Sequence, residues 1–214
     1  MIKQLDVTRK ITNLIMKKSQ YTRLASIVAT SVLTLTACGG GDSSDAPTKP
    51  PVIGQNGSVD VRGVTMSEDQ TCEISNFAPA MLAAINQARA QARDCGGKAY
   101  GAAPALGWNS LLTQAAVTHA TDMASTGKIS ETSSTGESLT DRVTLTGYEY
   151  AAVGENVAKG YTSVPKLMAG LLSSGDHCQK IMSPVVTEVG VSCVKAATGT
   201  NYWAQTFGVH KSVN

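Results

Sequence analysis

Ser173 and Ser174 stand four and three residues before His177, with Glu155 further upstream. These are the residue types of a nucleophile, a base and an orienting carboxylate, the set that cleaves esters or peptides by acyl transfer. The spacing speaks against that use. A serine so close to its supposed base usually belongs to a turn, and no G-x-S-x-G elbow occurs in the chain. Hydrolysis by Ser173 or Ser174, His177 and Glu155 is therefore the alternative function. Of the other two histidines, His119 lies on or beside an apolar helical stripe and reads as structural, while His210 near the C-terminus reads as a surface residue. The five cysteines contain no C-x-x-C pair, so a cysteine zinc site does not fit them.

The cysteines make more sense in an exported protein. Lys17, Lys18 and Arg23 precede the apolar run Leu24 to Ala37, the order of charged and apolar regions in a signal peptide. Fourteen residues would span about 21 Å as a helix, short of a hydrocarbon core of about 30 Å. The run closes on Leu35-Thr36-Ala37-Cys38, which resembles a bacterial lipobox, with Cys38 as the acyl acceptor. Residues 1–37 are read as the signal, with 1–15 as an upstream extension. Residues 38–71, rich in Gly, Ser, Asp and Pro, are read as a flexible tether. Gly39 and Gly40 after Cys38 lack the aspartate that retains many lipoproteins at the inner membrane, so the expected location is the outer membrane, facing periplasm or exterior.

Removing the leader changes the charge. Six Lys and Arg but one acid precede Cys38, which leaves 12 Lys and Arg against 15 Asp and Glu. That mildly acidic remainder excludes a nucleic-acid binder built on a basic face. With Cys38 acylated, four cysteines remain and three pairings are open. The expected one is local, Cys72–Cys95 around the first helix and Cys178–Cys193 around a turn and a strand, each bridge contributing about 3 kcal/mol by loop entropy.

The elements that must position the polar residues are read from apolar periodicity. Met81, Leu82, Ile85, Ala88 and Ala92 predict a helix capped by Ser75 or Asn76 and stopped at Cys95-Gly96-Gly97. A second helix runs from Asn109 as N-cap to Gly127, a short third covers 138–146, and a fourth opens at Ser163 and breaks at Ser173-Ser174-Gly175. Thr187 to Val194 and Asn201 to Val209 read as two strands of an antiparallel hairpin. Residues 72–214 thus form one α+β domain with a segregated antiparallel sheet.

Ala105 to Leu112 leading into Ala120 to Ala124, then Arg142 with Gly147-Tyr148, Gly154-Glu155-Asn156-Val157-Ala158, Ser173 to His177, and Tyr202 to Phe207 occur in that order. The set resembles the CAP superfamily, the SCP-like domain of cysteine-rich secretory proteins, insect antigen 5 and plant pathogenesis-related proteins, in its short bacterial branch. The likeness covers roughly residues 77–210. It implies a three-layer α-β-α sandwich with a central antiparallel sheet and a cleft lined by two histidines and acids that can hold a divalent cation. Glu155 and His177 match two of those positions, but Glu131 stands where the other histidine belongs. A zinc, calcium or manganese site here would be rich in oxygen. Asn156 and Gln205 are expected as buried amides supporting the cleft. The resemblance favours a binding or interaction module, for a lipid, another hydrophobic ligand or an envelope protein, over catalysis. A purely structural envelope protein is the third reading.

Overall fold

The computed structural model describes residues 56–211. The leader, Cys38 and the first part of the tether lie outside the described residues. The order of elements is β1 (Ser58–Val59), α1 (Phe77–Arg89), β2 (Arg93–Asp94), β3 (Ala99–Tyr100), β4 (Gly107–Asn109), α2 (Ser110–Thr126), α3 (Leu139–Leu145), β5 (Tyr150–Lys159), α4 (Val164–Ser173), α5 (Gly175–Met182), β6 (Glu188–Lys195) and β7 (Asn201–His210). Five strands form one sheet in the order β1-β4-β6-β7-β5, and β2 and β3 form a separate hairpin. The hairpin of β6 and β7 is antiparallel as expected, and β5 extends it on the outer side of β7. The expectation of a wholly antiparallel sheet needs correction, because β4 pairs with β6 in parallel through Gly107 and Trp108.

Alternation along the long strands builds the two helical layers. Val189, Val191 and Cys193 of β6 and Trp203 and Phe207 of β7 share one core with Phe77, Met81 and Ile85 of α1, Leu167 and Leu171 of α4, and Ile181 of α5. On the opposite face, Val157, Tyr202 and Ala204 meet Ala116, Ala120 and Met123 of α2, while Val143 of α3 joins Leu112 and Ala115. The result is an α-β-α sandwich. Asn109 starts α2 by accepting from the amides of Leu111 (2.9 Å) and Leu112 (3.1 Å), and Gly127 ends it at a φ of 70°.

Gly190 lets α2 lie directly on β6. A Cβ there would fall 2.1 Å from the Thr113 nitrogen and 2.3 Å from the Leu112 carbonyl carbon, both rigid helix backbone. Gly190→Ala is therefore expected to destabilise the fold by about 1–3 kcal/mol or more, as overpacking does; urea unfolding checks it, and an unchanged midpoint would contradict the close approach.

Three expectations are corrected here. Residues 56–71, read as tether, are folded: β1 pairs with β4, and Val59, Val61, Val64 and Met66 pack on the core of the α1 layer. Sparse apolar residues in a Gly- and Asp-rich context conceal such a strap in sequence. The disulfides are Cys72–Cys193 and Cys95–Cys178, not the local pairs. Cys72 and Cys95 flank α1, whose 13 residues hold its ends about 20 Å apart, far beyond the roughly 7 Å limit between bridged Cα atoms. The strap instead runs beside β6, where the Cys72 amide donates to the Cys193 carbonyl (2.9 Å). Finally, α1 ends at Arg89, and its guanidinium is sequestered by the carbonyls of Pro104, Ile181 and Ser183.

Candidate functional site

Glu155 and Asn156 are consecutive on β5, so their side chains leave opposite faces of the sheet. Glu155 enters the layer of α2 and α3. Its Oε2 accepts from Arg142 Nη2 at 2.6 Å and lies 3.6 Å from His119 Nε2, and its Oε1 accepts from Thr206 Oγ1 at 3.1 Å. All four residues are buried. Arg142 also donates to the carbonyls of Glu131 (3.2 Å) and Glu137 (2.9 Å) and to Ser133 Oγ (3.2 Å). The ring of His119 meets the Ser130 carbonyl at 2.7 Å. Together these side chains pin the loop between α2 and α3 from beneath.

Asn156 enters the other layer. Its Nδ2 donates to the His177 carbonyl (3.2 Å) and to Gln205 Oε1 (3.3 Å), and Gln205 in turn reaches Met168 Sδ at 3.6 Å. Both amides are buried. They tie β5 and β7 to α4 and α5, which fixes the edge of the sheet against the helix that carries His177.

The residues proposed for a metal do not assemble around one point. Among the described residues, no three His, Cys, Asp or Glu side chains gather so that they could hold an ion. The Glu155 carboxylate is already met by the Arg142 guanidinium, which supplies the cation. Glu131 is largely exposed, and its carboxylate pairs with Lys180 of α5 at 3.4 Å. His177 is half-buried on α5. Burial and the Lys180 charge hold its imidazole below the usual histidine range. A divalent metal therefore does not fit this set. The expectation failed because one residue, Arg142, fills the role a metal would have.

The serines do not form a catalytic pair either. Ser173 is exposed and donates to the Gly170 carbonyl (2.7 Å) of its own helix, and Ser174 is the N-cap of α5. His119 belongs to the site although its sequence setting marked it only as structural. Its apolar neighbours on α2 describe the helix face correctly, and the nearby carboxylate comes from a strand remote in sequence. His210, read as a surface residue, is partly covered: its ring centroid lies 4.1 Å from that of Tyr148, and its Nε2 meets the Asn56 carbonyl at 2.8 Å and Glu188 at 3.4 Å. Glu188 also accepts from Tyr148 Oη (2.7 Å), Asn109 Nδ2 (3.1 Å) and Ser58 Oγ, which locks the strap to the sheet.

A groove of about 370 Å³ opens beside this region. Ala152, Val153 and Gly154 of β5 form one side, Gln179 and Lys180 of α5 the other, with Tyr100, Val185, Val186 and Phe207 completing an apolar lining. Val185 is 58% exposed. Lys180 thus joins the groove to the loop that Arg142 and His119 hold. Another cavity, about 320 Å³ between the strap and the start of α1, is lined by Arg62, Met66, Glu73 and Asn76 and contains none of the motif residues.

Burial raises the Glu155 carboxyl to about 7, against the opposing pulls of Arg142 and the Thr206 hydroxyl. The folded protein therefore keeps a proton that the unfolded chain releases near pH 4.5. The stabilisation tied to that proton is complete below this lower value and is lost as pH rises through about 7. Burial also holds His119 below its usual range, an effect of opposite slope, so the clean comparison is with a non-titrating partner. Relative to Glu155→Gln, the wild type is expected to lose up to about 1.4 kcal/mol per pH unit across this window. Urea unfolding of both proteins at acid and at neutral pH measures it; a difference independent of pH would contradict the assignment.

The sequence matches the cysteine-rich secretory protein family, CAP, over residues 82–207. The chain belongs to that family. No curated protein matches it. Among solved structures it is similar to an outer surface protein of Borrelia burgdorferi, at 17% identity and a TM-score of 0.48, over 51% of this chain and 80% of that one. An extracellular SCP-domain protein of Bacillus anthracis shares 25% identity at a TM-score of 0.45, over 51% of this chain and 35% of that one. A third similar structure, NaASP2 with Zn2+, shares 13% identity at a TM-score of 0.44, over 74% and 84% of the two chains. No helix among the described residues is long and apolar enough to cross a membrane.

Proposed function

We propose that this CAP protein is a lipid-anchored binding module of the bacterial cell envelope, tethered through acylated Cys38, that takes an apolar group into the groove between β5 and α5. The observation that carries the reading is the contrast between two neighbouring sites. The polar centre is engaged internally, with Glu155 taken by Arg142 and Thr206. The groove, by contrast, has the size and mainly apolar lining of a ligand pocket with a few polar groups at its rim. The bond from Asn156 Nδ2 to the His177 carbonyl ties β5 to α5 and holds the groove walls at fixed separation, so little ordering is needed on binding.

Native mass spectrometry of the detergent-extracted full chain tests both halves of this reading. The expected spectrum shows a chain beginning at Cys38 with acyl mass attached, and a non-covalent apolar adduct that survives chelator. An unacylated chain would overturn the anchor. An adduct lost on chelation, or retained equally by a variant with the groove filled, would overturn the groove.

A further inference from the structure

We infer that the groove is a strand-addition site: an extended peptide of a partner protein pairs with the outer edge of β5, places a bulky apolar side chain in the groove and presents an acidic residue to Lys180. This rests on the groove reading above and specifies the occupant. β5 is the last strand of the sheet. Its pairing is with β7, and among the described residues no main-chain hydrogen bond joins Tyr150–Lys159 to any other element. Three consecutive residues, Ala152, Val153 and Gly154, line the groove. Side chains alternate between faces, so a groove touched by three in a row looks onto the strand's edge and its backbone.

Exposed edges are usually guarded by lysine, proline or a covering segment. Tyr150 to Gly154 contain no charge and no proline; a bulge near Ala151 is the one protective feature present. The side chains there are small, and a Cβ added at Gly154 would meet nothing within 4 Å, so an incoming strand can approach closely. Charge selects the partner. Lys180 lies on the groove, where an acidic residue of the peptide replaces or joins the exposed Glu131 carboxylate that meets it at 3.4 Å, and Lys98 sits 5.1 Å from the centroid of Tyr100, another groove residue.

The test is fluorescence anisotropy on the full chain in detergent, using a library of blocked heptapeptides that alternate threonine with aromatic or aliphatic residues and carry one terminal glutamate or lysine. Glutamate peptides are expected to bind better than lysine peptides, and Lys180→Glu to reverse that order. N-methylating alternate amides along one edge of a binding peptide is expected to weaken it at least about tenfold, while methylation along the other edge has little effect. Ala151→Lys, at an exposed position, is expected to weaken binding similarly with an unchanged melting temperature. Equal responses to the two methylation patterns would overturn strand addition, as would the absence of any binding peptide. Dansyl-undecanoate, run in parallel, separates the two failures: if it binds where peptides do not, the groove reading stands without strand addition, and if neither binds, both fall.

Discussion

At pH 8, where the Glu155 carboxyl is ionised, Arg142→Met is expected to destabilise the domain by about 3–5 kcal/mol, the range for removing one partner of a buried ion pair. The side chain is fully buried, and its hydrogen bonds reach Glu155, Ser133 and the carbonyls of Glu131 and Glu137. Methionine fills much of the volume but removes the donor to Glu155 Oε2, Ser133 Oγ and the Glu131 carbonyl, and it leaves Glu155 buried beside His119 with no cation. Arg142→Lys is expected to recover only part of the loss, since one ammonium cannot reproduce a planar fork that reaches several acceptors. Thermal and urea unfolding give the magnitude. Proteolysis in the loop between α2 and α3 should rise in step, because Arg142 is what holds that loop down. A variant as stable as the wild type would contradict the central position given to Arg142.

Removing the Cys72–Cys193 bridge as a double alanine variant is expected to lower stability by about 2–5 kcal/mol. The bridge closes a sequence separation of 121 residues, so loop entropy places it near the upper end of that range, above the about 3 kcal/mol of a local loop. It also fastens the strap to β6 next to the Lys195–Glu73 ion pair and the bond from Ser192 Oγ to the Gln70 carbonyl (3.0 Å). Peptide mapping without reduction checks the connectivity: a Cys72 peptide joined to a Cys193 peptide is expected, and a Cys72–Cys95 product would contradict the structure. Under the proposed anchoring at Cys38, the strap is the piece that would transmit a pull from the membrane to the domain, and the bridge is its covalent attachment to the sheet.

The helices were legible where caps and apolar spacing agreed. Asn109 and Gly127 bound α2, Ser138 and Thr146 flank α3, and Ser163 caps α4. β5 was not legible by pattern, because Ala151-Ala152-Val153-Gly154 lacks the bulky alternation of a strand and Glu155 interrupts the apolar side. That interruption is the carboxylate of the buried polar centre. α5 was hidden for a related reason: Ser173-Ser174-Gly175 reads as a break, yet Ser174 serves as the junction of two successive helices. Folding of the strap could not be read from composition, since its few apolar residues gain their contacts from β4 and α1, which are distant in sequence.

The site was legible as residue types and not as geometry. The Gly154-Glu155-Asn156 motif pointed to the right strand, but the alternation of a strand sends Glu155 and Asn156 to different layers, so Glu155 and the helix bearing His177 face away from each other. Arg142 lies among the motif residues, and its guanidinium meets the buried Glu155 carboxylate that the resemblance assigned to a metal. A buried arginine among helical apolar residues, with a buried acid elsewhere in the same motif set, is the signal that would have found the pair.

The measurement that bears most directly on the account is a binding titration of dansyl-undecanoate, read by its fluorescence, against the full-length wild type, Gly154→Val and Glu155→Gln. If the domain works through its apolar groove, Gly154→Val fills the space beside β5 and weakens binding by at least about tenfold, about 1.4 kcal/mol, while Glu155→Gln leaves it nearly unchanged. Loss of binding in Glu155→Gln with Gly154→Val unaffected would place function at the carboxylate centre and contradict the account.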